Sequence, residues 1–194
     1  MAAFVAQNPD FETSVRESFG RIALMSTIGG RLATVAPGEV QVALPFREEL
    51  AQHHGFLAAA VLTAIADVAC GYAAMTLMPA GASVLTVEYK VNFVAPAQGE
   101  RMIARARVVR PGRTVTTCTA DVFAVTGREE KLVATMLATM IQAGDERASS
   151  PQYQEGQHRL RGPVAHRPSR KARSWCVCRG GGLRHRLRAL AGLA

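Results

Sequence analysis

Four polar or flexible residues, Gln52, His53, His54 and Gly55, stand directly before a long apolar run, and a single carboxylate, Asp67, stands inside it. From Ala58 to Met78 the chain carries no other charge and no proline, and alanine and leucine dominate. That composition favours helix. An ionised carboxylate in such a helix is costly unless it is hydrogen-bonded or put to chemical work. The plainer account is an acid satisfied by a nearby backbone group or hydroxyl. The residues before the helix favour chemistry, because a helix N-terminus presents unpaired N–H groups that attract anions or a developing oxyanion.

The elements around this run must position it. Without a polar face, the helix is expected to be covered on all sides. Its length also suits a membrane span, but the interior acid argues against one, as do the half-polar strands that follow, which need a core to pack on. Phe11 to Met25 reads as one amphipathic helix with Phe11, Val15, Phe19 and Ile22 along one side. Ile28–Val35 and Glu39–Leu44 read as strands joined at Ala36-Pro37-Gly38. The central helix is expected to stop near Met78-Pro79-Ala80-Gly81. Four further strands follow over Val84–Ala95, Arg101–Arg110, Thr114–Val125 and Lys131–Ile141. In the first of these Val87, Tyr89, Val91 and Phe93 alternate with Glu88, Lys90 and Asn92. The order is helix, two strands, long helix, four strands. Consecutive hairpins imply an antiparallel sheet whose apolar face is covered by the long helix, an α+β fold.

Charge divides the chain in two. Residues 1–142 hold twelve basic and twelve acidic residues, and residues 143–194 hold eleven and three, so the formal charge of +8 belongs wholly to the tail. The start lacks a basic flank and an apolar core, so no secretory signal is expected. Cys70 and Cys118 read as small core hydrophobes. Cys176-Val177-Cys178 has no partners at zinc spacing, so neither a metal nor another cofactor is expected. A reducing cytoplasm is the default location.

The element order and the Gln52–Asp67 segment resemble the hotdog-fold acyl-CoA thioesterases of the phenylacetate-degradation, or PaaI-like, family. In that family an Asn or Gln is followed six residues later by His-Gly-Gly, and an Asp stands nine after the His. Gln52 and Asp67 occupy the first and last positions, and QHHGF, AIADVACGYAA and LTVEYKVNFVAPA agree around them. The resemblance spans roughly Phe11 to Gln142. It departs from the family at one place, where His-Gly-Gly becomes Ala58, Ala59 and Ala60.

The resemblance implies hydrolysis of an aryl or medium-chain acyl-CoA to the free acid and coenzyme A. Asp67 would be general base or nucleophile, Gln52 would orient the attacking water, and Thr86 would contact that water. The backbone N–H of Ala59 would be the oxyanion donor. The substrate would meet His54, Gly55, Ala58 and Ala60, where two lost glycines add methyl groups and a lost histidine removes a polar contact. A non-catalytic acyl-CoA-binding protein is the alternative that the Ala58–Ala60 run raises. Asp67 lies eight residues past Ala59, about 12 Å along a helix, too far for both to reach one carbonyl. A homodimer, or a homotetramer built from dimers, would bring the two groups together from different chains.

Other residues carry weaker readings. Adjacent side chains diverge, so only one of His53 and His54 is expected to face a site, His54 by preference. Thr86 falls on the Glu88 and Lys90 face by simple alternation, and needs a twist, a bulge or a subunit edge to reach Asp67. Arg105, Arg107, Arg110 and Arg113 suit phosphates of coenzyme A, though a solvated strand face explains each as well.

Residues 1–142 are thus read as the hotdog domain and 143–194 as a basic, disordered extension, since the tail lacks Ile, Phe and Met. Its Arg-rich text is what a GC-rich gene gives in a shifted frame. A short basic helix over Leu183–Leu190 could bind acidic surfaces, but nucleic acid and membrane are not expected as partners.

Overall fold

The computed structural model describes residues 4–144. The extension expected over 143–194 therefore lies, from residue 145 onward, outside the described residues. Among these residues three α-helices and six strands follow one another as α1 (Phe11–Phe19), α2 (Ala23–Ile28), β1 (Arg31–Ala36), β2 (Glu39–Pro45), α3 (Ala59–Met75), β3 (Ser83–Phe93), β4 (Arg101–Arg110), β5 (Val115–Thr126) and β6 (Glu129–Ala143), with a 3-10 turn over Glu48–Leu50 between β2 and α3. All strand pairings are antiparallel, in the order β1-β2-β4-β5-β6-β3. The long helix packs on one face of this single sheet, which is the hotdog arrangement.

Alternation builds the core. Val40, Val42 and Leu44 on β2, Met102, Ala104 and Ala106 on β4, and Cys118, Ala120 and Val122 on β5 are buried at every second position. Against them α3 presents Leu62, Ile65, Ala66, Ala69 and Cys70, all buried. Small residues on both sides let the helix axis approach the sheet closely. Ile65 has no exposed surface, so its truncation to alanine costs about 2–5 kcal/mol.

Four expectations change. The N-terminal helix is two helices, because Gly20 closes α1 and Ile22, in extended conformation, opens α2. Ile28 belongs to α2 rather than to a strand, and Gly29 ends that helix with φ +84°, a left-handed conformation that glycine adopts at no steric cost. The central helix ends at Met75, short of the proline, as Leu77 and Met78 leave it through tight turns onto Ala74 and Met75. Nor is α3 covered on all sides. Ala59 and Ala60 are exposed and Thr63, Ala64, Asp67, Val68 and Gly71 are only half-buried, because a single sheet can cover only one side of a cylinder. Among the described residues no helix is long and apolar enough to cross a membrane.

Candidate active site

The start of α3 is tied down by backbone bonds on either side. Leu57 N–H donates to Ala97 O at 3.0 Å and Ala58 N–H donates to Leu50 O at 3.0 Å. Ala58, extended at φ −63° and ψ 138°, is the N-cap and offers no side-chain cap. Its carbonyl accepts from Val61 at 3.0 Å and Leu62 at 3.3 Å. The N–H groups of Ala59 and Ala60 have no backbone acceptor among the described residues, and both residues are exposed. An open pair of amide donors at the positive end of a 17-residue helix is a place for an anion or an oxyanion.

Gln52 opens a turn that leads to this helix start. Gly55 N–H donates to Gln52 O at 2.8 Å, and His54 N–H donates to the Gln52 side-chain Oε1 at 2.7 Å. Gly55 takes φ +81°, which permits so tight a reversal. The acceptor end of the Gln52 carboxamide is therefore engaged, and its Nε2 is the end left to act on a ligand. The same turn overrides the expected divergence of the histidines. The His53 and His54 rings lie 3.9 Å apart, centroid to centroid, and both residues are exposed.

Asp67 sits on the half-covered stripe of α3, two turns past Ala59. The Thr86 hydroxyl donates to Asp67 Oδ1 at 2.8 Å. The register of β3 on β6 slips between Thr86 and Glu88, so Val87 is the extra residue of a bulge. Thr86 consequently shares the helix-facing side with Tyr89, Val91 and Phe93, while Glu88, Lys90 and Asn92 face outward. Burial pushes the Asp67 carboxyl above its ordinary value, and the Thr86 hydrogen bond pulls part of the way back. The Cys70 thiol, one turn on, is driven far up by burial, as is Cys118, to about 12. Neither is a nucleophile at neutral pH.

The four arginines separate. Arg105 forks onto Glu130, with one bond of 2.8 Å, and lies 4.7 Å over the Phe123 ring. Arg107, Arg110 and Arg113 have no carboxylate partner among the described residues. Arg113 lines a cleft of about 400 Å³ with Pro111, Thr116, Leu77 and Gln142. This cleft lies at the C-terminal end of α3 and does not include Asp67. Sequence reasoning missed Met140, whose sulfur is 3.5 Å from the Thr86 hydroxyl. It is 54 residues away along the chain, and no local pattern marks it.

A long helix lying on one face of a single antiparallel sheet, with a half-buried acid in its middle and open amides at its start, defines a hotdog protein. Residues 54–131 match the thioesterase superfamily model. The solved structure of a thioesterase family protein from Silicibacter pomeroyi is 48% identical, with 69% of this chain and 98% of that one covered and a TM-score of 0.68. This chain belongs to the thioesterase superfamily and has the hotdog fold. The E. coli PaaI protein of the phenylacetic acid degradation operon, at 16% identity, shares the fold, with 72% and 97% covered and a TM-score of 0.64. A protein of Halobacterium salinarum provisionally named an esterase is 34% identical over 101 residues, 47% of this chain. The chain spans 64% of the length of that curated relative and 60% of a second, from Saccharolobus solfataricus.

Proposed function

We propose that this protein hydrolyses an acyl-CoA thioester, with an aryl or medium-chain acyl group, to the free acid and coenzyme A. The observation that carries the reading is the Asp67–Thr86 hydrogen bond of 2.8 Å on the open stripe of α3. It supplies an oriented carboxylate, with basicity raised by burial, in a family built for thioesters. Asp67 acts either as base on a water or as nucleophile on the thioester carbonyl. The carbonyl oxygen, as charge develops on it, is met by the Ala59 N–H. Gln52, with its oxygen engaged by His54, serves as a donor, to the water or to the carbonyl. Arg113, without a carboxylate partner among the described residues, suits a phosphate of coenzyme A.

The site is shared between two copies. Eight residues of helix separate Ala59 from Asp67 by about 12 Å, beyond reach of one reacting carbonyl. The edge of β3 favours a second copy, since among the described residues it pairs with β6 on one side only and leaves Leu85, Val87, Tyr89 and Phe93 about half exposed. An apolar strand edge left unpaired is a template for another chain.

A second reading is favoured by the helix start itself. Ala58 offers no polar side chain there, and the methyl of Ala60 stands where the family has glycine, so acyl-CoA could be bound without turnover. Release of coenzyme A from a panel of acyl-CoA esters, by wild type and Asp67→Asn side by side, separates the two. Binding without Asp67-dependent release would reject the hydrolase.

A further inference from the structure

We infer that Met140 is a positioning residue for the Asp67–Thr86 pair. Thr86 is exposed and lies on an edge strand beside a bulge, so its own strand does little to fix its side chain. Its cross-strand partner on β6 is Met140, which has no exposed surface. The thioether lies 3.5 Å from Thr86 Oγ1 on the buried side, and Asp67 Oδ1 lies 2.8 Å away.

A hydroxyl has one proton to give. Thioether sulfur is a weak acceptor and carboxylate a strong one, so the proton goes to Asp67. Met140 therefore does not compete for the bond. Its bulk occupies the space into which the hydroxyl would otherwise turn, and holds Thr86 in the rotamer that meets the acid. The charged groups of β3 near this point, Glu88 and Lys90, lie on the outward side. Cys70 on α3 and Cys118 on β5 lie on the buried side and are both neutral thiols at working pH, and Tyr89, further along β3, shares the helix-facing side with Thr86.

This rests on Asp67 being the working acid, so the test reads the pair directly and turnover separately. Asp67 is titrated by NMR in protein labelled at aspartate carboxyls and assigned with Asp67→Asn. The χ1 rotamer of Thr86 is read from three-bond couplings. Thr86→Val should raise the Asp67 midpoint. Met140→Ala should average the Thr86 rotamer and raise the midpoint by at least half as much, and Met140→Leu, of similar bulk, should restore both. Met140→Val replaces Met140→Ala if the latter does not fold. A single Thr86 rotamer with an unmoved midpoint in the small variants overturns the inference, as does Met140→Leu behaving like Met140→Ala. If no variant, wild type included, shows Asp67-dependent coenzyme A release, the hydrolase reading falls, while the two NMR readouts still decide the role of Met140.

Discussion

Thr86 and Asp67 meet across 2.8 Å although one lies on an edge strand and the other in the central helix. Their contact depends on the extra residue at Val87, because the β3–β6 register slips there and Thr86 turns to the helix side. Without the bulge the hydroxyl would share the solvent with Glu88, and the acid would lose the one side-chain partner it has among the described residues.

The pH behaviour of Asp67 follows from that setting. Burial raises its carboxyl above the ordinary 3.8 despite the Thr86 bond. The folded state then binds a proton more readily than the unfolded one. Stability associated with this group is lost as pH rises from about 3.8 through the raised folded value, and stays lost above it. Asp67→Asn should thus melt at least as high as wild type near pH 7, with no advantage below the ordinary value. Activity runs the other way. It needs the ionised acid, so kcat/KM should fall on an acid limb centred above 3.8, and Asp67→Asn should abolish turnover at every pH. Melting curves and pH–rate profiles check both.

Shared sites should complement. Proline is tolerated at the first position of a helix and removes its N–H, so Ala59→Pro deletes the amide donor while keeping α3. Asp67→Asn and Ala59→Pro proteins should each be inactive alone. After subunit exchange each mixed dimer holds one intact site of two. An equal mixture with random pairing should therefore recover about a quarter of wild-type turnover per chain. No recovery after exchange is verified by mass spectrometry would disprove the two-chain site.

Restoring the helix start should raise the rate. Ala58→His with Ala60→Gly returns the family residue at two of the three altered positions. Loss of an oxyanion donor costs ~10²–10³ in rate, but the Ala59 N–H is still in place, so a smaller gain is expected. We anticipate ~10-fold to 100-fold in kcat, or about 1.4–2.7 kcal/mol of barrier. Adding Asp67→Asn should erase the gain. A restored protein with tight acyl-CoA binding and no Asp67-dependent turnover would favour the binding reading.

The tail should be dispensable for this chemistry. β6 ends at Ala143, so a chain stopped after Gly144 retains all six strands of the described residues. Residues 145–194 contain no Ile, Phe or Met, and so little core-forming material that its removal should leave the thermal midpoint and turnover nearly unchanged. A large fall in the midpoint would show that the tail contributes to the fold. Loss of a salt-sensitive DNA binding on truncation would instead give it a separate, electrostatic role.

What the sequence determined by itself was the frame of the site. Alanine and leucine without proline specify helix around Asp67 wherever the chain is read, and the spacing of Gln52 from Asp67 is a property of the string. Alternation from Val87 to Phe93 marks a strand and its two faces, since side-chain direction repeats every two residues. Three things waited for the tertiary structure. The bulge that carries Thr86 to Asp67 exists only in the pairing of β3 with β6, and no residue within β3 announces it. The direction of the Gln52 carboxamide is set by the His54 N–H that a tight turn brings to it. Met140 reaches Thr86 because two strands lie side by side, 54 residues apart in the chain. Local composition decides which element forms, because propensity and period act over a few residues. The partner of a hydroxyl is decided by packing between elements, and that information is spread over the whole sheet.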